Sequence, residues 1–405
     1  MQEIVYQDRS GGPRHAVWLA SAAEAPSRVG LADDRTTAEV ALRRMLSGES
    51  LVYQGDYQNA RQLLAALGRR LARRGARPGR SPGGEPARLW AAERARRLLE
   101  HQVLSRLLVP VEPDLAVPLR RAPDLREALR QALGEPPARP GLLPLREALG
   151  MVGAHEWRRK GVLVPALGGR VHPHYGVFAP VRGEHVELVA RALEAFPVQG
   201  RTAFEVGTGT GVLAILLARA GARVVATDAE PRAVACAREN AARFGVLGQV
   251  EVIEADLFPP GRADLVAMNP PWIPGEAHTP LERAVYDPEG RTLGRFLAGL
   301  PEHLAPGGEG WLVLSDLAEH LGLRPPGAVE AAMARAGLAV RATLHASPSH
   351  PRARDAGDAL HGARSREKTL LYCLTASGAG SAARSATERS TSDTGRRGVG
   401  RTSSP

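Results

Sequence analysis

The 405-residue sequence predicts an α/β protein in which a helical N-terminal region and a short β-rich link precede a mostly parallel sheet. Three observations predict this fold. Apolar residues recur at helical spacing over the first 150 residues or so. Short apolar runs with glycine turns follow from about Gly161. Strands and helices then alternate, which is typical of a parallel sheet with helices on both faces.

Apolar stripes at helical spacing define the predicted N-terminal domain, residues 1–155. One stripe begins at Leu42 and Met45, and a second runs from Leu63 to Leu71 after Asp56 as a candidate cap. Further helices are predicted at 89–108, 124–133 and 145–150, with a Pro/Gly-rich linker at 76–86. The pattern favours a helical bundle, followed by the β-rich link at residues 156–182.

The alternating region is assigned to residues 183–375. Its helices are predicted at 184–195, 212–220, 231–244 and 293–304. Seven short apolar runs are its predicted strands, at 202–206, 223–227, 250–254, 265–268, 311–314, 339–345 and 368–374. The tail, residues 376–405, is rich in Ser, Thr, Gly and Arg, so we expect it to be disordered.

The composition, 43% hydrophobic and 24% charged, is that of an ordinary globular protein. The two cysteines, Cys236 and Cys373, have no metal-ligand spacing and do not make a disulfide framework. The N-terminus, MQEIVYQDRS, has no apolar core of a secretory signal, and no apolar stretch approaches the roughly 18 residues of a membrane helix. We therefore expect a cytoplasmic protein with reduced thiols and no membrane partner.

The net charge of +10 favours contact with nucleic acid or another acidic partner. Lys160 and Lys368 are the only lysines among 53 basic residues, which leaves 51 arginines, as expected from a GC-rich genome. Arginines 69, 70, 73, 74 and 77 share much of one helix face. That face either binds phosphates or is simply solvated, and the sequence leaves both interpretations open.

The strongest motif is FEVGTGTGVLAILLARAGA, in which a strand runs into Gly207, Gly209 and Gly211 and then into an apolar helix. Glycine permits a tight turn and lets a ligand approach the backbone closely. In a dinucleotide fingerprint the third glycine would fall at Val212. The GxGxG spacing therefore argues against NAD and favours another adenosine-containing ligand.

Three acidic residues lie near the ends of the predicted strands. Asp228 ends the second strand, about 20 residues past the glycines, where a ribose-binding acid is expected. Asp256 follows the third strand, and Glu205 precedes the glycines. Because carboxyl ends of parallel strands share one sheet edge, we expect these carboxylates to face one crevice. The alternative is that Asp228 and Asp256 cap the following helices.

The fourth strand runs into Asn269, Pro270, Pro271 and Trp272. The Asn269 side-chain oxygen and the Pro270 carbonyl can each accept a hydrogen bond from one amino group, which fixes both of its hydrogens. The two prolines restrict the backbone, so these acceptors are preorganised. Trp272 offers a flat surface for a planar acceptor. The alternative is an ordinary turn after a strand.

These motifs resemble the class I S-adenosylmethionine-dependent methyltransferases over about residues 161–375. The resemblance implies a Rossmann-like sheet of seven strands, the last antiparallel, with S-adenosyl-L-methionine as the cofactor and no metal. It implies that the glycine turn holds the methionine part of the cofactor. It also implies that Asp228 binds the ribose hydroxyls, that Asp256 contacts the adenine amine and that Glu205 lies near the ammonium group.

Residues 269–272 resemble the [DNS]PP[YFW] motif of family members that methylate planar nitrogens, such as base amines and the glutamine amide. The domain order resembles that of release-factor glutamine methyltransferases, although NPPW replaces their NPPY. We therefore expect an N-methyltransferase acting on a macromolecule: RNA, DNA or a translation protein. A small-molecule methyltransferase and a non-catalytic cofactor-binding module remain the alternatives, and the oligomeric state stays open.

Overall fold

The computed structural model describes residues 2–8, 10–21, 23–75, 85–348 and 351–377. Two α/β units follow each other along these ranges, joined by a short β-hairpin. Residues 76–84 of the predicted linker and residues 378–405 of the predicted disordered tail lie outside the described residues.

The N-terminal unit contains a six-stranded mixed sheet. Its strands are β1 (Glu3–Gln7), β2 (Pro13–Trp18), β3 (Val29–Ala32), β4 (Ser50–Tyr53), β5 (Leu107–Val111) and β6 (Gly141–Pro144). They are ordered β1-β2-β6-β5-β4-β3, and the run β3-β4-β5 is parallel. Its helices are α1 (Ala38–Leu46), α2 (Tyr57–Gly75), α3 (Pro86–Leu104), α4 (Arg126–Leu133) and α5 (Leu145–Lys160).

The prediction of a helical N-terminal domain is wrong. Several predicted helices exist, and Asp56 does accept the Gln58 backbone N–H at 2.9 Å as α2 begins. Strands β4, β5 and β6, which lie between these helices, were missed because they are short and almost wholly buried. All four residues of β4 are buried, and such a run cannot be told from a buried helix segment by periodicity. The third predicted stripe ends at Leu104, and Leu107 already belongs to β5.

A short antiparallel hairpin follows α5. Its strands are β7 (Val162–Val164) and β8 (Gly169–Val171), and the register pairs Val162 with Val171. The chain then runs without regular structure to α6 (Glu184–Ala195), which packs on the second sheet.

The second unit contains a seven-stranded sheet. Its strands are β9 (Thr202–Val206), β10 (Arg223–Asp228), β11 (Val250–Glu254), β12 (Ala263–Met268), β15 (Leu304–Ser315), β16 (Leu338–Ala346) and β17 (Thr369–Ala376). They are ordered β11-β10-β9-β12-β15-β17-β16, and β17 is antiparallel to both of its neighbours. Two further strands, β13 (Ile273–Pro274) and β14 (Tyr286–Asp287), form a small parallel pair outside it. The predicted Rossmann-like α/β class is confirmed for this half of the chain.

Helices cover both faces of the second sheet. With α6, these are α7 (Val212–Arg219), α8 (Pro231–Arg243), α9 (Arg291–His303) and α11 (Ala328–Arg335). The unit also contains three short helices, α10 (Leu317–His320), α12 (Pro351–Arg354) and α13 (His361–Arg364). Trp311 lies in the core on the face covered by α7, whereas the next residue, Leu312, lies in the core on the face covered by α9. Burial on both faces explains why these strands are continuous apolar runs.

Candidate functional site

Three candidate residues stand side by side at the carboxyl edge of the second sheet. The register pairs Val206 of β9 with Thr227 of β10 on one side and with Met268 of β12 on the other. The next residue on each strand is therefore Asp228, Gly207 or Asn269, at the strand spacing of roughly 4.8 Å. β9 is also where the strand order reverses, and ligands of open α/β sheets bind in the crevice at such a point.

The loop after β9 has left-handed backbone at all three predicted glycines, with φ of 72° at Gly207, 55° at Gly209 and 82° at Gly211. A Cβ added at Gly207 or Gly209 would meet nothing within 4 Å. A Cβ at Gly211 would lie 3.2 Å from Cα and Cβ of Ala237. The first two glycines thus border open space, and the third lets α7 pack closely on α8.

Asp228 ties the glycine loop to the end of β10. Its carboxylate accepts the Gly209 backbone N–H at 2.9 Å and the Glu230 N–H at 3.0 Å, just before α8. Burial raises the pKa of this carboxyl. Each oxygen uses one lone pair in these bonds and keeps another. The Asp228 carboxylate therefore accepts a backbone hydrogen bond at the start of α8 and can still accept hydrogen bonds from a ligand.

Glu205 lies beneath the loop and is only 2% exposed. One carboxyl oxygen accepts hydrogen bonds from the Thr208 hydroxyl and from the Ala214 backbone N–H at 2.9 Å. Burial raises the pKa of Glu205 to about 8. The side chain therefore orders the loop and the first turn of α7 from inside the core, and it does not line the open crevice in this structure.

Asp256 lies two residues beyond β11 and is exposed. Its carboxylate forms a bidentate pair with Arg295 of α9, at 2.8 and 3.1 Å, and this hydrogen-bonded partner lowers its pKa. The preceding Ala255 donates its N–H to the Asp228 carbonyl at 3.1 Å. Asp256 thus stands at the same edge as Asp228, on its solvent side.

The Asn269 side chain is held by its own motif. The Trp272 indole N–H donates to Asn269 Oδ1 at 2.8 Å, which fixes both the amide and the ring. Pro270 is buried, whereas Trp272 is half-buried. Sequence reasoning assigned Trp272 only as a stacking surface and missed this hydrogen bond. Asn269 Oδ1 keeps a second lone pair for an acceptor group.

Arg182 covers the Trp272 ring. Its guanidinium carbon lies 5.7 Å from the ring centre, and its Nη2 donates to Glu367 at 3.3 Å. Ser315, which ends β15, donates to the same carboxylate at 2.8 Å. Sequence reasoning gave no role to Glu367 or Ser315. These residues are far apart in sequence and carry no local motif, so only the fold brings them together.

The N-terminal unit contacts the segment that follows the acceptor motif. Arg94 of α3 lies 3.7 Å from the centre of the Tyr286 ring and donates a hydrogen bond to the Glu276 carbonyl. Trp90, one turn earlier, lies 6.5 Å from the same ring. We call residues 269–287 the acceptor loop. Helix α3 therefore packs against one side of it.

Two histidines that follow β8 each have a protein partner. His172 Nδ1 lies 2.6 Å from the Arg158 carbonyl, and His174 Nε2 lies 3.0 Å from Glu239. Within the described ranges, no three His, Cys, Asp or Glu side chains are grouped as metal ligands.

None of the helices in the described ranges is both long and apolar enough to cross a bilayer.

Comparison with known proteins gives a family match over the region that holds the glycine loop and the acceptor loop. The family described as methyltransferase small domain matches residues 169–325. The chain is 33% identical over 165 residues to a candidate protein N5-glutamine methyltransferase of Methanocaldococcus jannaschii. The aligned region covers 38% of this chain and 81% of that relative.

Two further relatives are longer than the region they share with this chain. A release factor glutamine methyltransferase of Cereibacter sphaeroides is 37% identical over 146 residues, covering 32% of this chain and 51% of the relative. A ribosomal RNA small subunit methyltransferase C of Alcanivorax borkumensis is 34% identical over 145 residues, covering 34% and 40%. The chain thus spans about half the length, or less, of these two relatives.

Proposed function

Because the chain belongs to the class I S-adenosylmethionine-dependent methyltransferases with a methyltransferase small domain, we propose that it methylates a planar nitrogen of a macromolecule. One observation carries this proposal: the sheet register sets Asn269 directly beside Gly207, with Asp228 on the other side. A methyl donor held over the loop would then face an amine-binding group on the neighbouring strand.

We propose that the glycine loop holds the methionine part of S-adenosyl-L-methionine, in the open space beside Gly207 and Gly209. Asp228 would accept hydrogen bonds from the ribose hydroxyls, and Asp256 would contact the adenine amine at the outer edge. Glu205 is assigned to the ammonium group of the methionine part. It would act on that group through the glycine loop it supports, and not by direct contact. The bound cofactor supplies an activated methyl group on a sulfonium.

The acceptor loop would prepare the nucleophile. Asn269 Oδ1 and the Pro270 carbonyl each accept one N–H of the same amino group, which directs nitrogen lone-pair density toward the methyl carbon. Methyl transfer would exchange the carbon–sulfur bond of the donor for a nitrogen–carbon bond on the acceptor, and the surplus proton would leave to solvent. Trp272, fixed by Asn269 and covered by Arg182, stacks on the planar acceptor. Positioning supplies most of the rate gain.

We propose a division of labour along the chain. Residues 183–375 form the catalytic unit, residues 156–182 link it, and the N-terminal unit, residues 1–155, takes part in substrate recognition through α3. A cytoplasmic location fits the two buried free thiols, Cys236 and Cys373. The names of the relatives point to protein glutamine or RNA as substrates, which makes a small-molecule acceptor the second candidate.

The test follows a radiolabelled methyl group from S-adenosylmethionine into a cell extract. Asn269→Ala is expected to lower transfer by about 10²–10³-fold, because a preorganised acceptor is lost, while calorimetry finds unchanged cofactor affinity. Asp228→Ala is expected to weaken that affinity by about 1–3 kcal/mol. Asn59→Ala, in the N-terminal unit, is the matched control. Full transfer by Asn269→Ala would show that this motif does not bind the acceptor, and absence of labelling by the wild type would favour a non-catalytic module.

A further inference from the structure

The outward face of α2 is purely basic. The helix YQNARQLLAALGRRLARRG contains five arginines and no Asp or Glu. All five arginines are exposed: Arg61, Arg69, Arg70, Arg73 and Arg74. Steps of four residues from 69 to 73 and from 70 to 74 align the last four in two columns. At 1.5 Å per residue, the face is about 20 Å long. We call it the arginine face.

Among the described residues, the arginines of α2 have no acidic partner. Within the described part of the chain, no ion pair or side-chain hydrogen bond reaches positions 69, 70, 73 or 74. Elsewhere, Arg126 pairs with Asp114 at 2.9 Å and Arg130 with Glu127 at 2.7 Å. A genomic bias toward arginine explains the number of arginines in the chain. It does not explain why α2 contains no Asp or Glu.

An unpaired basic face carries a cost in the free protein. Like charges four residues apart destabilise a helix by about 0.2–0.5 kcal/mol per pair. The inner face of α2 offsets this cost, because Leu63, Leu67 and Leu71 are buried in the core of the N-terminal unit. The arginines themselves gain nothing from the fold, so an external anion is what would stabilise them.

The arginine face is joined to the acceptor loop through α3. A Cβ added at Gly68 of α2 would lie 3.8 Å from Leu104, at the C-terminal end of α3. Arg94, nearly three turns earlier on α3, contacts the acceptor loop at Tyr286. One continuous helix thus packs on α2 at one end and contacts the acceptor loop further along. An open groove of about 560 Å³ runs along α2, lined by Arg61 and by Arg146 with its acidic partner Glu100.

We propose that the arginine face binds the phosphate backbone of an RNA substrate, one unpaired base of which reaches Asn269. This inference rests on the proposed function and names its substrate class. Guanidinium groups match phosphate geometry, and a polyanion extends over the whole face as a single acidic side chain does not. RNA is favoured over duplex DNA because its loops present base amines without the cost of flipping a paired base.

The test compares two variants of equal net charge. One changes the unpaired arginines 69, 70, 73 and 74 to Gln, and the control changes four acid-paired arginines to Gln: Arg14, Arg126, Arg130 and Arg159. Binding to purified total bacterial RNA is measured against salt concentration. Loss of four phosphate contacts is expected to reduce the slope of log K against log salt by about 3, whereas the control loses little.

Methyl transfer into the same RNA provides the second readout. The arginine-face variant is expected to lose RNA labelling on the order of tenfold or more at low salt and to keep wild-type cofactor affinity. Equal slopes for both variants, or tighter binding to phosphatidylglycerol vesicles than to RNA, would overturn the inference. In the labelled cell extract, label that enters only a ribonuclease-resistant protein fraction would overturn it too, while leaving the proposed function intact. Failure of the proposed function itself shows as no label in any fraction.

Discussion

Replacing the buried Glu205 by Gln should change how the stability of the protein depends on pH. Burial raises the pKa of this carboxyl from 4.5 to about 8, against the lowering effect of hydrogen bonds from Thr208 and Ala214. Between these two values the folded chain keeps a proton that the unfolded chain has lost. Stability attributable to Glu205 is therefore complete below pH 4.5 and is lost as the pH rises toward 8.

The size of the effect follows from the shift. Each pH unit inside this window lowers the free energy of unfolding by about 1.4 kcal/mol. Relative to Glu205→Gln, the wild type should therefore lose about 4 kcal/mol of stability between pH 5 and pH 8. That is a large part of the 5–15 kcal/mol that is typical of a folded domain. The Gln side chain stays neutral and can still accept the Ala214 N–H, so the variant keeps the local contact without the titration.

Urea unfolding of both proteins at half-unit pH intervals measures this difference. Subtracting the two curves cancels the other titrating groups, except the nearby Asp228, whose charge contributes to the shift. If the difference in unfolding free energy between wild type and variant stays constant from pH 5 to 8, the reasoning is refuted. The cofactor provides a second measurement, because an ammonium close to Glu205 would favour its carboxylate. Calorimetry at pH 7 in buffers of different ionisation enthalpy should then show up to one proton released per molecule bound.

The glycine loop and the acceptor loop allow further tests. Gly211→Ala should destabilise the protein by about 2–4 kcal/mol, since it combines left-handed backbone with a contact of 3.2 Å to Ala237. The control Gly245→Ala has similar left-handed backbone and no such contact, so urea unfolding should show a loss of stability of only about 1–2 kcal/mol. Equal losses for the two variants would disprove the packing role of Gly211. Gly209→Ala should mainly weaken cofactor binding, because its Cβ would occupy the open side of the loop, and calorimetry with unchanged affinity would contradict that placement. Trp272→Phe removes the N–H bound to Asn269 and should slow methyl transfer about three- to tenfold, whereas the exposed Trp157→Phe should not; identical rates would mean that the hydrogen bond does not position Asn269.

The second half of the chain was predictable because its signals are local. Each buried strand is a run of apolar residues, and the glycines and the NPPW motif directly follow two of those runs. Parallel strands present their carboxyl ends at one edge, so a shared edge for the residues that end them followed once the strands were identified. That Asp228, Gly207 and Asn269 are direct neighbours came from the strand order in the structure. The depth of each side chain was not predictable. Glu205 proved buried and Asp256 exposed, since burial depends on which neighbours pack above each strand end.

The N-terminal half was harder to predict because its signals compete. Leu107 continues the helical spacing of the preceding stripe, yet it starts a strand that pairs with β4 and β6. Strand pairing joins residues far apart in sequence, and four-residue runs carry too little pattern to reveal it. Helices α1, α2 and α4 were recognised because amphipathic stripes of two turns or more are strong local signals.

The amino-acid sequence by itself determined the class of the second sheet, the turn that glycine favours and the residue types able to accept hydrogen bonds from an amino group. Those properties depend on spacing along a few neighbouring residues. Tertiary structure decided that Trp272 holds Asn269, that Arg182 and Glu367 stand behind Trp272, and that Arg94 brings α3 to the acceptor loop. The contacts of Arg182 and Arg94 join residues 185 and 182 positions apart, and only the burial of both faces of each sheet brings such segments together.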